Sequence, residues 1–397
     1  MSVLGWVTFL IALLVSVMIH EWGHYITAKR FGMKVPEFFV GFGPRVWSFK
    51  RGETEYGIKA IPAGGYCKIT GMTPLEELSP EDEPRAFYKQ GPWKRFIVLV
   101  GGSFMHFVIA IVLLMIIAMA VGLPNDTSPT TKVGTVSACV PASETAVCAK
   151  GDPESPAKKA GLKPGDQVTS FNGAKITGWK QLQTAIHKAP AGPTKMTVSR
   201  GGTTVPITVD LVSARGGQKV SFLGMSPYAP PATYTRQGPV DAVKYTGETI
   251  GTSLAAVGQV IVDLPAAIPN LFGSHRADTP GGQAGSVVGA ARVTGEVFAA
   301  PDASLQAKIT LVLLIVVSLN LFIGVLNLLP LPPMDGGHVA VLLYERVKVR
   351  IMRLRGRPDP GPVDMNKLLP VTAVVLVLLV GLGVTLILAD IINPLQL

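Results

Sequence analysis

Two histidines and a glutamate, His20, Glu21 and His24, stand in the stretch HEWGH at the end of the apolar run VLGWVTFLIALLVSVMI. In a helix, residues four apart share a face, so both imidazoles can turn a ring nitrogen toward one ion. Glu21, one step round from His20, can reach a water on that ion. The spacing suits two zinc ligands with a glutamate as general base. Zinc lowers the pKa of its water toward neutrality, and a carboxylate that takes the proton leaves hydroxide to attack an amide carbonyl. Ionisable groups inside a lipid-spanning helix are costly without a metal or partners, which favours a functional site over a packed histidine pair.

A catalytic zinc needs a third protein ligand and an open position. The candidate is Asp335, in NLLPLPPMDGGH at 327–338, where Pro330, Pro332 and Pro333 break a later apolar run. Asp-Gly-Gly alone would also suit a turn. Zinc rather than another divalent ion is a preference set by ligand type.

The elements that must position these residues follow from composition. Of 397 residues, 48% are hydrophobic. Four runs approach the roughly 20 apolar residues that a spanning helix needs: Val3 to Tyr25, Phe96 to Val121, Ile309 to Leu329 and Leu368 to Ala389. This is the pattern of an integral membrane protein. The first run lacks a basic leader and a small-residue cleavage site, so it is read as retained. The net charge of +10 does not point to nucleic acid, because the basic residues gather beside the runs. Lys29, Arg30, Lys34, Arg45, Lys50, Arg51, Lys94 and Arg95 lie between runs one and two, and ERVKVRIMRLRGR lies between three and four. Positive charge marks cytoplasmic loops. Both termini and residues 122–308 are then outside, in a multi-pass protein of the cell membrane. Runs one and three point the same way, so HEWGH and Asp335 can meet at one depth, toward the cytoplasmic side.

The first helix should continue through YITAKR and stop near Gly32. Beyond it, VPEFFVGFGPRVWSFKRGETEYGIKAIPAGGYCKITGM alternates like strand, with turn candidates at Arg51-Gly52 and Gly64-Gly65. It reads as a β-hairpin or small sheet, with the hairpin at about 46–69, against the inner membrane face. Outside, the order from VGTVSACVP onward is strand, short helix, strand and turn, longer helix, then a hairpin around Gly201-Gly202. Residues 240–272 suggest a helix with one apolar face, interrupted by Thr, Ser, Gly and Asp263, that lies on the membrane surface. The glycine-rich stretch TPGGQAGSVVGAARV reads as flexible, with glycines that would let it dip toward the bilayer. Cys139 and Cys148, nine positions apart in the exterior segment, can form a disulfide there. Cys67, on the cytoplasmic side, reads as a small packed thiol.

Taken together, HEWGH in the first run, GFGP at 41–44 followed by AIPAGGYCKITGM, and LNLLPLPPMDGG in the third resemble the site-2 protease family of zinc intramembrane proteases. SPAKKAGLKPGDQVTSFNG is similar to the bacterial PDZ signature. The resemblance implies that His20, His24 and Asp335 bind zinc, that Glu21 is the base, and that Asn327 holds substrate backbone or the oxyanion. The expected fold class is an α-helical integral membrane protein with about four transmembrane helices, a membrane-associated β-hairpin and an extracytoplasmic α+β PDZ domain. Its parts are a first membrane half at 1–124, the PDZ domain at 125–225, a linker with an amphipathic helix at 226–308, and a second membrane half at 309–397. Two departures from the family pattern stand out. Met334 precedes Asp335 where the family has Leu, and His106 in GGSFMHF stands where the family often has Asn. His106 is read as facing neighbouring helices, with a hydrogen-bonding role near the site as the alternative, and is not assigned to zinc.

The implied activity is cleavage in or near the transmembrane helix of single-span membrane proteins already trimmed outside, with anti-sigma factors as implied substrates. A peptide or exterior substrate segment would bind the PDZ domain. Two alternatives are clearance of signal-peptide remnants and a non-catalytic PDZ scaffold. The intact set His20, Glu21, His24 and Asp335 argues against the scaffold.

Overall fold

The computed structural model describes residues 3–72, 76, 78–125, 128–140, 148, 151–213, 221–230, 233–273, 276, 281–282, 284–300, 303–358, 361, 363 and 368–394. The chain divides into two units, Met1–Leu123 with Arg236–Leu397, and Pro124–Thr235.

In the first unit, helix α1 (Val3–Arg30) carries HEWGH. Lys29 and Arg30 in its last turn complement the helix dipole. It closes at Gly32, whose positive φ of 76° lets the Met33 N–H turn back to the Ala28 carbonyl at 3.0 Å. Strands β1 (Glu37–Arg51) and β2 (Thr54–Lys68) follow, joined through Gly52. Of the two readings, hairpin or small sheet, the pairing is that of a small sheet. Residues 37–40 pair with 65–68 on one side and with 55–58 on the other. The chain bends at Gly41, Gly43 and Gly64, all with positive φ. Helix α2 (Pro92–Ile116) begins with proline at its first position and continues as a π turn, Ile117–Val121, followed by the two-residue strand β3 (Leu123–Pro124).

The rest of this unit is helical: α5 (Pro239–Ala267), α6 (Val287–Ala299), α7 (Leu305–Asn327), α8 (Asp335–Leu354) and α9 (Leu369–Ile392). Helices α1 and α2 run antiparallel and touch closely, since a Cβ on Gly23 would strike the Gly101 carbonyl. One apolar cluster, with Ala28, Met33, Val98, Leu99 and Leu342, joins the C-terminal end of α1 to α2 and α8. Another, with Ala110, Leu114, Ile117, Val317 and Leu321, joins α2 to α7, and α5 packs on it through Tyr245, Ile250 and Leu254.

Among the described residues, five helices are long and apolar enough to cross a membrane: Val3–Arg30, Pro92–Val121, Pro239–Asn270, Leu305–Asn327 and Leu369–Ile392. The sequence reading has four such helices and lays 240–272 on the surface. That segment forms one long helix, and its polar residues leave it the least apolar of the five. Within the stretch read as flexible, helix α6 begins at Val287, capped by Ser286, which accepts from the N–H groups of Val288 and Gly289.

The second unit contains β4 (Val133–Val136), α3 (Pro156–Lys159), β5 (Gln167–Phe171), β6 (Ala174–Lys175), α4 (Trp179–Lys188), β7 (Gly192–Arg200), β8 (Thr203–Ser213), β9 (Ser221–Phe222) and β10 (Met225–Pro227). The sheet order is β6-β5-β7-β8-β9, and β4 pairs with β10. Its core gathers Val168, Phe171, Leu182, Ile186, Met196, Val198, Val209 and Leu211. The order of helices and strands is the one read from the sequence, with the β7–β8 turn at Gly201-Gly202. A disulfide joins Cys139 to Cys148, with Cα atoms 5.9 Å apart.

Candidate metal centre

The helical geometry of α1 puts His20 and His24 on one face, toward α2 and the start of α8. Their Nε2 atoms are 3.2 Å apart. Oδ2 of Asp335, the first residue of α8, lies 3.5 Å from His20 Nε2 and 3.4 Å from His24 Nε2. Both histidines are buried and Asp335 is half-buried. Four bonds of about 2.0–2.1 Å around a tetrahedral zinc put neighbouring ligand atoms about 3.3 Å apart. All three separations match that edge.

Tautomer logic supports the fit. His24 Nδ1 lies 2.7 Å from the Val98 carbonyl, which only accepts, so Nδ1 carries the proton and Nε2 offers a lone pair. That lone pair, His20 Nε2 and Asp335 Oδ2 converge on one point, a donor set that suits a divalent cation. Ser103 Oγ donates to Asp335 Oδ2 at 3.0 Å and orients it. Gly336 and Gly337 let the chain turn tightly after the Pro-rich loop, because a Cβ on either would strike the backbone at Leu328–Leu329 or Leu331–Pro332.

Glu21 is half-buried on the neighbouring face of α1, where its Oε2 accepts the Cys67 backbone N–H at 3.0 Å. Residues 65–68 form an edge of the sheet that runs along α1, and a Cβ on Gly65 would strike the Met18 sulfur. A strand edge therefore lies at the depth of the two histidines. Cys67 is a free thiol whose pKa burial pushes up, so it stays protonated and inert.

His106 is buried on α2, with its ring centroid 5.0 Å from that of His20. Its Nδ1 bonds Asn320 Oδ1 on α7 at 2.8 Å, and Asn320 Nδ2 donates to Ser16 Oγ and the Val316 carbonyl. His106 thus faces a neighbouring helix, as read, and also borders the site. Asn327 ends α7 and is half-buried. Ser103, Asn320 and the Cys67 amide are contributors that sequence reasoning missed. One signal was present: Ser103 and His106, three apart, mark one polar stripe on an apolar helix.

A family model described as peptidase family M50 matches residues 8–358. The chain belongs to peptidase family M50. Membership in M50, the site-2 proteases, makes it a zinc metalloprotease, which sets the scaffold alternative aside. Among its relatives, zinc metalloprotease Rip1 of Mycobacterium tuberculosis is 39% identical over 100% of this chain and 99% of its own length. Rip1 of Mycolicibacterium smegmatis is 38% identical over 99% and 98%. A putative zinc metalloprotease of Fusobacterium nucleatum is 31% identical over 87% and 90%.

Proposed function

We propose that this M50 peptidase hydrolyses a peptide bond within or beside the transmembrane helix of single-span membrane proteins, after another protease has shortened them outside. The family resemblance implies anti-sigma factors as substrates. One observation carries the reading: His20, His24 and Asp335 converge at tetrahedral-edge spacing among apolar helices, beside Glu21 and a strand edge.

In this reading His20, His24 and Asp335 would hold zinc. A zinc ion held there would supply a Lewis acid and lower the pKa of a water toward neutrality. Glu21 is the general base. Its Oε2 is engaged by the Cys67 amide, so Oε1 takes the proton and returns it to the leaving amine. A helical substrate amide is shielded by its own hydrogen bonds, so the substrate must be held extended. The edge at 65–68 pairs with it as an added strand. Asn327 holds substrate backbone near the entrance to the Asp335 loop. The second unit acts as a PDZ domain that docks an exterior peptide and rejects substrates whose exterior domain remains.

Contacts within the helical unit support the topology. Ser16 and His24 of α1 meet Asn320 of α7 and Asp335 beyond it, so α1 and α7 run parallel. Antiparallel α2 leads to the side from which α7 departs, so residues 122–304 begin and end on one side. A single crossing by α5 would then need a return, and the 13 residues of α6 fall short of the roughly 20 required. This favours α5 along the surface and four spans, with both termini and the PDZ domain outside.

The test is cleavage by purified protein in detergent of a tagged single-span substrate, with and without its exterior domain, followed by mass spectrometry of the products. The expected result is a cut in the apolar segment of the trimmed form alone. Equal cutting of both forms, or a cut in the exterior segment, overturns the substrate class; cutting of signal-peptide remnants alone moves it to their clearance.

A further inference from the structure

Helix α8 begins at Asp335 and continues well beyond the site. One face packs inward through Leu342 and Glu345, both buried, and Glu345 pairs with Arg95 at 3.0 Å and accepts the Val363 N–H. The opposite face is apolar yet exposed. Leu343, Val347, Ile351 and Leu354 recur at helical spacing, with Tyr344 beside them, and Leu354 is 81% exposed. At 100° per residue this stripe is centred about half a turn from the buried face.

Basic residues flank it on both sides. Arg346, Arg350 and Arg353 line one border, all exposed, and Lys348 and Arg355 line the other. No acidic residue occurs between Glu345 and Asp359. An apolar stripe between two cationic borders is the pattern of a helix that lies in a lipid interface. The apolar side chains enter the acyl boundary while the guanidinium groups stay among headgroup phosphates. The flanking helices α7 and α9 are both candidate spans, so the segment starts and ends at the bilayer.

We propose that the second half of α8 is a binding surface for anionic lipid headgroups. The charge complementarity selects acidic over zwitterionic lipid, and the continuous apolar stripe selects a membrane over a soluble polyanion. Anchoring there steadies the helix whose first residue is Asp335. That consequence rests on the metal reading above; the binding itself does not.

The test is hydrogen exchange, read by mass spectrometry over residues 343–357, on the full chain in phosphatidylcholine nanodiscs with and without phosphatidylglycerol. Zinc content reports the fold of each preparation. Slower exchange is expected with phosphatidylglycerol, and the protection should fall about fivefold for each arginine replaced in the series R346Q, R350Q and R353Q. Replacing Val347 and Ile351 by Ser, which touches no core residue, should also weaken it with every charge kept. Equal exchange in both lipids overturns the proposal. So does protection by an added acidic peptide or RNA oligonucleotide in phosphatidylcholine that matches the effect of the anionic lipid.

Discussion

The backbone N–H of Cys67 donates to Glu21 Oε2 at 3.0 Å, joining the edge of the β-sheet to the glutamate of HEWGH. The group proposed as base and the edge proposed to hold substrate therefore move as one. With that N–H committed to Glu21, an extended substrate chain along residues 65–68 would pair through the remaining groups of the edge.

Ser103→Ala removes the hydroxyl that orients Asp335 and leaves the three proposed ligands in place. Zinc affinity should fall about 10- to 100-fold, as measured by competition with a chelator. Unchanged affinity would mean that Asp335 is held by its helix alone.

Gly102→Ala inserts a Cβ into the His24 imidazole. Either the ring turns or α2 shifts, and overpacking of this kind costs about 1–3 kcal/mol. Lower zinc content and a lower melting temperature are expected. Gly381→Ala on α9, where nothing lies within 4 Å of the new Cβ, is the matched control and should keep its zinc.

The candidate ligands and the groups that support them differ in how far the sequence discloses them. HEWGH is legible because the geometry of one helix forces residues 20 and 24 onto one face. Asp335 is legible because prolines interrupt an apolar run just before it. Ser103 is not, since its partner is 232 positions away and a serine in a membrane helix ordinarily bonds its own backbone. The sheet shows a similar limit. Alternation and Gly52 disclose a hairpin, but the double pairing of residues 37–40 depends on bends at Gly41, Gly43 and Gly64 that no period reveals. Helix α5 sits between classes because Thr, Ser, Gly and Asp263 dilute its apolar residues without interrupting its helical course.

Glu53, in the β1–β2 turn, binds Arg85 through both oxygens and also pairs with Lys29. The Arg85 guanidinium, and then Lys29, lower its pKa from 4.5 to about 2. A depressed carboxylate pKa contributes stability that is fully present above the unfolded value and lost as pH falls through the folded one. The melting-temperature difference between wild type and Glu53→Gln should therefore be constant above pH 4.5 and shrink from there toward pH 2. A difference that persists at pH 2 would assign the effect to shape rather than charge.

Asp390, near the end of α9, is buried and accepts from Arg276 at 2.6 Å and from the Ser286 N–H and hydroxyl. Asp390→Ala leaves the Arg276 charge buried, which costs about 3–5 kcal/mol. Only Ala389 and Asp390 are buried on α9, so its detachment from α6 should accompany that loss. Unfolding in detergent measures the first effect, and limited proteolysis between α8 and α9 measures the second.

The most direct measurement is single-turnover cleavage of a trimmed single-span substrate by wild type and by Glu21→Gln, with bound zinc counted in both. The expected result is one zinc per chain in each protein and a rate about 10²- to 10⁴-fold lower in the variant, the loss associated with removing a general base. A variant that keeps its zinc and cuts at the wild-type rate would contradict the role of Glu21 and the mechanism built on it.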